Sequence, residues 1–63
     1  MATYTRVTVK LNDPNMFAVI LRVAGAIGQE IGDQAARAWR ERALGSETYD
    51  DVMALVRQTV HVA

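Results

Sequence analysis

The side chains that could carry out acid–base or nucleophilic chemistry are few in this 63-residue chain, which has one histidine and no cysteine. His61 could act as a general base, but no nucleophile is paired with it by a recognisable spacing. Asp50 and Asp51 are adjacent, so on a helix their carboxyl groups point about 100° apart and cannot share a substrate. We therefore predict that the protein is not an enzyme and has no catalytic residue, cofactor site or metal site.

The charge composition argues against a general nucleic-acid-binding protein. Seven basic and seven acidic residues give a net charge of zero, whereas affinity for nucleic acid comes largely from neutralising phosphates. The apolar run "MFAVILRVAGAIG" is interrupted by Arg22 and is shorter than the ~20 residues of a membrane span. No secretory signal is recognisable at the start of the sequence. We expect a cytoplasmic protein with no membrane partner.

The length of the chain predicts one domain, residues 1–63. A chain this short buries only about 60% of its unfolded surface, and it usually needs a disulfide, a metal or a partner chain. The absence of cysteine excludes a disulfide and, with a single histidine, disfavours a structural metal. Because 51% of the residues are hydrophobic, we predict a homodimer.

The first two elements follow from the hydrophobic pattern. Residues 3–11, "TYTRVTVKL", alternate between apolar and polar side chains, which predicts a strand with one buried face. Helix 1 is then predicted from about Pro14 to Ile31, with Asp13 as its N-cap. On a helical wheel its apolar face comprises Phe17, Ile20, Val23, Ala24, Ile27 and Ile31.

A third side of helix 1, beside a narrow polar stripe, is unusually bare: Ala18, Leu21, Gly25, Gly28 and Gly32 fall on one strip. A glycine inside a helix costs about 0.5–1 kcal/mol relative to alanine, so aligned glycines suggest a compensating contact. We expect the main chain of a neighbouring element to pack on Gly25, which also favours the homodimer. The alternative, open for Gly28 and Gly32, is that these glycines mark a helix end, with Gly32 following the C-cap.

Two further helices are predicted after the glycines. Helix 2 runs from about Gln34 to Leu44, after Asp33 as its N-cap. Helix 3 runs from about Tyr49 to Thr59, and either Ser46 or Thr48 caps it.

The last residues, "VHV" at 60–62, alternate again and predict a short closing strand that pairs with the first one. The predicted fold class is therefore α+β: a small strand–helix–helix–helix–strand domain, mostly helical, with a two-stranded sheet. Two strands make a poor sheet alone, and a second copy of the chain could extend it across a dimer.

Three residues indicate a surface for a partner. Arg37 and Arg40 face away from the predicted core of helix 2, and Tyr49 lies near the start of helix 3. Arginines and helix N-termini both attract negative charge. We predict a non-enzymatic protein that binds another protein or an anionic ligand through these residues, although a solvated helix face would carry the same arginines.

A DNA-binding function is the alternative. Arg6, Thr8 and Lys10 protrude from the predicted first strand, and two helices follow. That order resembles dimeric ribbon-helix-helix transcriptional regulators, which lay paired strands in the major groove and read base edges with such side chains. The third helix, the closing strand and the zero net charge weigh against it.

The order of the motifs resembles a family of short proteins of bacteriophages and prophages. A strand like "VTVKL" comes first, followed by "NMFAVILRV" with Asn15 and Phe17. "AWRERA" with Trp39 and "SETYDDVMALV" with Tyr49 and Asp50 come next, and "VHV" closes the chain. Two segments depart from the family: "GAIGQEIGD" replaces a more basic turn, and helix 2 is rich in arginine. The resemblance covers nearly the whole chain and implies a phage accessory protein in the cytoplasm of a bacterial cell, with a host bacterial protein as its partner, but it implies no activity.

Overall fold

The computed structural model describes residues 2–63 and has the predicted element order. A strand, three helices and a closing strand follow one another, which confirms the small α+β fold. The bounds are β1 Tyr4–Val9, α1 Met16–Glu30, α2 Asp33–Leu44, α3 Tyr49–Thr59 and β2 Val60–Val62.

The two strands pair with each other, as predicted, and they are parallel. Thr8 lies opposite His61 and Val9 opposite Val62, while the register shifts between Tyr4 and Thr8. A parallel pair needs a crossover connection, and the three helices together form it. β1 ends at Val9, two residues before the predicted end of the strand at Leu11.

The helices pack on one side of this sheet, and the core lies between them. Its largest fully buried side chains come from β1, α1, α3 and β2: Val7, Val19, Ile20, Val23, Ile27, Val52, Val56 and Val60. Trp39 and Ala43 contribute from α2.

Two residues of the predicted apolar face of α1 lie outside the core. Phe17 is 58% exposed and Ile31, the residue after α1, is 37% exposed, whereas Val19 is 1% exposed. The helix is therefore rotated toward Val19 relative to the wheel prediction. The apolar part of α1 covers more than half of its circumference, so the pattern alone did not determine which part would meet the core.

The start of α1 differs from the prediction. Asn15, and not Asp13, is the N-cap, because its Oδ1 accepts hydrogen bonds from the backbone N–H groups of Phe17 at 2.9 Å and Ala18 at 3.4 Å. The Asp13 carboxylate instead accepts from the N–H of Asn15 at 2.8 Å. The helix consequently begins at Met16, after Pro14.

Gly32 both follows the end of α1 and begins α2. It comes after the C-cap Ile31. The N–H of Gly32 donates to the carbonyl of Ile27 at 3.1 Å, and the N–H of Ile31 donates to the same carbonyl at 2.8 Å. Its φ of +147° is one that residues with a side chain rarely adopt. The prediction of a helix end is therefore confirmed for Gly32. This glycine, and not Asp33, is the N-cap of α2, and Asp33 is the first residue of that helix.

Candidate binding groove

An open groove of about 460 Å³ runs between α1 and α2. Gly25, Gly28 and Ala36 lie along its floor, and Leu21 lines it from the α1 side. Arg37 and Arg40 line it from the α2 side, while Asp33 and Gln29 also contribute. We call this feature the α1–α2 groove.

The prediction that a neighbouring main chain packs on Gly25 is wrong for the single chain. A Cβ atom added at Gly25 would meet nothing within 4 Å. At Gly28 it would meet the Cβ of Ala36 at 3.6 Å and the Oδ1 of Asp33 at 3.7 Å, which are ordinary contacts. Helix α2 thus approaches α1 at Gly28 but not at Gly25, and the bare strip is the open floor of the α1–α2 groove.

Large exposed apolar side chains lie within about one helical turn of the groove lining on both helices. Leu21 is 63% exposed, and Phe17, one helical turn before it on the same side of α1, is 58% exposed. Leu44 is 53% exposed and lies four residues after Arg40 on α2. Because clustered exposed apolar residues often mark interaction sites, these side chains make the groove a candidate docking surface.

The structure brings together two of the three residues predicted to bind a partner. Arg37 and Arg40 are exposed, are three residues apart on α2 and line the same groove. Tyr49 lies elsewhere, since its hydroxyl donates a hydrogen bond to the carbonyl of Asp13 at 3.1 Å. This bond ties the start of α3 to the loop before α1.

The residues of the DNA-binding alternative are all exposed, but one has a structural role. The Nη2 of Arg6 donates to the carbonyl of Glu30, the last residue of α1, at 2.8 Å. Arginine side chains commonly satisfy the free carbonyls at a helix C-terminus. Thr8 lies beside His61 in the sheet, and Lys10 follows β1. Of the three residues, Thr8 and Lys10 are therefore the two whose side chains make no hydrogen bond to a helix end.

The residues considered for catalysis lie on two different elements, β2 and α3. His61 is exposed on β2. Asp50 and Asp51 occupy the first turn of α3, where the Asp51 N–H donates to the Oγ1 of the N-cap Thr48 at 3.1 Å. Thr48, rather than Ser46, is thus the cap. Across residues 2–63, no three His, Asp or Glu side chains are grouped so that they could hold a metal ion.

The chain matches no family model, no curated protein and no solved structure. The likeness to short phage proteins therefore stays a prediction. Within the described part of the chain, none of the helices has both the length and the hydrophobicity of a membrane span.

The groove itself was not predicted from the sequence. Leu21, Gly25 and Gly28 were placed on one strip, but that strip was expected to be covered. The signal that could have revealed the groove is the combination of a bare strip on one helix with arginines three residues apart on the next. Neither pattern by itself predicts how α2 packs against α1.

Proposed function

We propose that the protein is a small, non-enzymatic accessory protein of a bacteriophage or prophage that acts in the bacterial cytoplasm by binding. The α1–α2 groove would hold the partner, a host protein or an anionic ligand. One observation carries this proposal: a bare helix floor stands open between exposed apolar side chains and the guanidinium groups of Arg37 and Arg40.

Gly25 lies within α1 and carries an energetic cost. A glycine in the middle of a helix costs about 0.5–1 kcal/mol relative to alanine, and a small domain has few kcal/mol of stability to lose. No contact within the chain compensates for this at Gly25, since nothing lies within 4 Å of its missing Cβ. A bound partner that packs on the exposed backbone would supply the compensation.

The homodimer stays a prediction and has a different basis from the one the sequence suggested. The strip of α1 that carries Gly25 is open in the single chain, so it no longer supports a dimer. In residues 2–63, however, the sheet has only two strands, so each strand has one unpaired edge. Pairing of two β1 edges would extend the sheet across a dimer.

The ribbon-helix-helix alternative is supported by that same edge and by the exposure of Thr8 and Lys10. The bond of Arg6 to Glu30 weakens it, because the guanidinium would have to leave a helix C-terminus to read a base. A gel-shift titration with duplex DNA tests it directly: a shift that weakens with added salt would favour the regulator.

Site-specific photo-cross-linking in bacterial cells tests the proposed binding function. A photoreactive residue at Gln29 reports on the groove, and one at Ala54, exposed on α3, is the matched control. We expect discrete adducts from position 29, few from position 54, and loss of the first set in Gly25→Leu, which fills the floor. Equal adducts from both positions, or adducts insensitive to Gly25→Leu, would contradict the proposal.

A further inference from the structure

We infer that the partner in the α1–α2 groove is an amphipathic α-helix of another protein, with carboxylates along the edge that faces α2. This inference rests on the proposed binding function and specifies the partner's chemistry. Three observations support it: the length of the exposed apolar surface, the charge of the arginines that line the groove, and the composition of the chain's own helices.

The apolar surface is too long for a compact ligand. From Phe17 to Gly28 the exposed side of α1 extends over twelve residues, and the eleven steps between them span about 16 Å at 1.5 Å per residue. A small anion held by the arginines would leave Phe17 and Leu21 uncovered, although both are more than half exposed. A helix laid along α1 would cover them and the groove together.

The bare floor fits a helix in particular. Packed helix axes lie 8–10 Å apart, and the smaller distances require small side chains at the contact. Gly25, Gly28 and Ala36 supply these small side chains along the floor, and Leu21 stands beside them as a ridge. An incoming helix can therefore place its own large apolar side chains over Gly25, where no atom of the chain competes for the space.

The rim specifies the charge of the partner. Arg37 and Arg40 lie three residues apart on one side of the groove, and Asp33 is the acidic residue that lines it. Guanidinium groups form bidentate pairs with carboxylates. Carboxylates three or four residues apart on a helix share one face and would match the spacing of the two arginines.

A second copy of the chain does not supply that charge through α1. The polar stripe beside its exposed side carries Asn15, Arg22 and Gln29, and its first turn has no acidic residue. The acidic residues at the start of α3, Asp50 and Asp51, are not part of the groove lining, so a second copy could supply them only by docking that end of α3 into the groove.

Two synthetic peptides of 18 residues test the inference. Both carry leucines at helical spacing; one has glutamates and the other glutamines at the same flanking positions. The ¹⁵N-labelled protein is titrated with each, and the backbone amide signals of Gly25 and Gly28 are followed. We expect both signals to move and the glutamate peptide to bind about fivefold to tenfold more tightly at low salt, because two exposed ion pairs each add modestly. The difference should shrink at high salt, because exposed charges are screened.

Matched variants separate charge from shape. Arg37→Gln with Arg40→Gln should abolish the preference for glutamate, so that the two peptides bind this variant with the same affinity. Arg42→Gln, on the same helix but outside the groove, should preserve the preference. Gly25→Leu should block both peptides while the amide spectrum of the rest of the protein stays that of a folded chain.

Each other outcome overturns the inference in a recognisable way. Equal binding of both peptides at Gly25 and Gly28 would refute the acidic partner but leave the groove as a binding site. No movement of either glycine signal with either peptide would refute the helix, and the cross-linking experiment would then decide on the binding function. Self-association that Gly25→Leu abolishes would show that a second copy occupies the groove.

Discussion

The indole Nε1 of Trp39 donates a hydrogen bond to the Oγ1 of Thr59 at 2.9 Å, and the Thr59 hydroxyl donates in turn to the carbonyl of Leu55 at 2.7 Å. Both side chains are buried. Trp39 lies on α2 and Thr59 is the last residue of α3. This pair satisfies the polar end of the tryptophan and connects α2, which carries the arginines of the groove, to the helix before β2.

Thr59→Val should be among the more destabilising single changes in the protein. It keeps the shape of the side chain but leaves the buried indole N–H without an acceptor, which costs about 1–3 kcal/mol. Thr59→Ser, which keeps the hydroxyl, is the control and should cost less. Urea denaturation measures both free energies of unfolding, and equal losses for the two variants would show that the hydrogen bond contributes nothing.

Gly32→Ala should destabilise the turn between α1 and α2. At a φ of +147° an alanine is strained although no atom lies within 4 Å of the added Cβ. The cost of such a conformation is about 1–3 kcal/mol. Thermal unfolding of the variant, compared with Gly28→Ala, checks this; if Gly32→Ala is the more stable of the two, backbone strain at this position is refuted.

Asn15→Ala should lower stability by about 1 kcal/mol, because it removes the side-chain cap of α1. Asp13→Ala should cost less, since the Asp13 carboxylate accepts a single bond from the N–H of Asn15 and no helical N–H. Circular dichroism and denaturant midpoints for the two variants check the order. The reverse order would mean that the helix starts at Pro14, as the sequence pattern suggested.

The order of the elements was predictable because each has a local signal. Alternation marks β1 and β2, glycines mark the ends of α1 and α2, and Thr48 caps α3. These signals depend only on neighbouring residues, so tertiary packing did not overturn them.

The predictions that were wrong concern how the helices pack against one another and against the sheet. Phe17 was predicted to be buried and is exposed, because a wide apolar side does not reveal which part of it meets the sheet. Gly25 was predicted to be covered and is open, because the small side chain of Ala36 brings α2 near Gly28 instead. The groove results from this offset, which no single segment of sequence encodes.

The free energy of unfolding of Gly25→Ala tests the central claim most directly. The claim is that the floor of the α1–α2 groove is open in the free protein and kept bare for a partner. Measured at low protein concentration, the variant should be more stable than the original by about 0.5–1 kcal/mol, and Ala54→Gly on exposed α3 should show a loss of similar size. A Gly25→Ala variant that is less stable than the original would mean that another backbone already covers this glycine, and the open groove would be refuted.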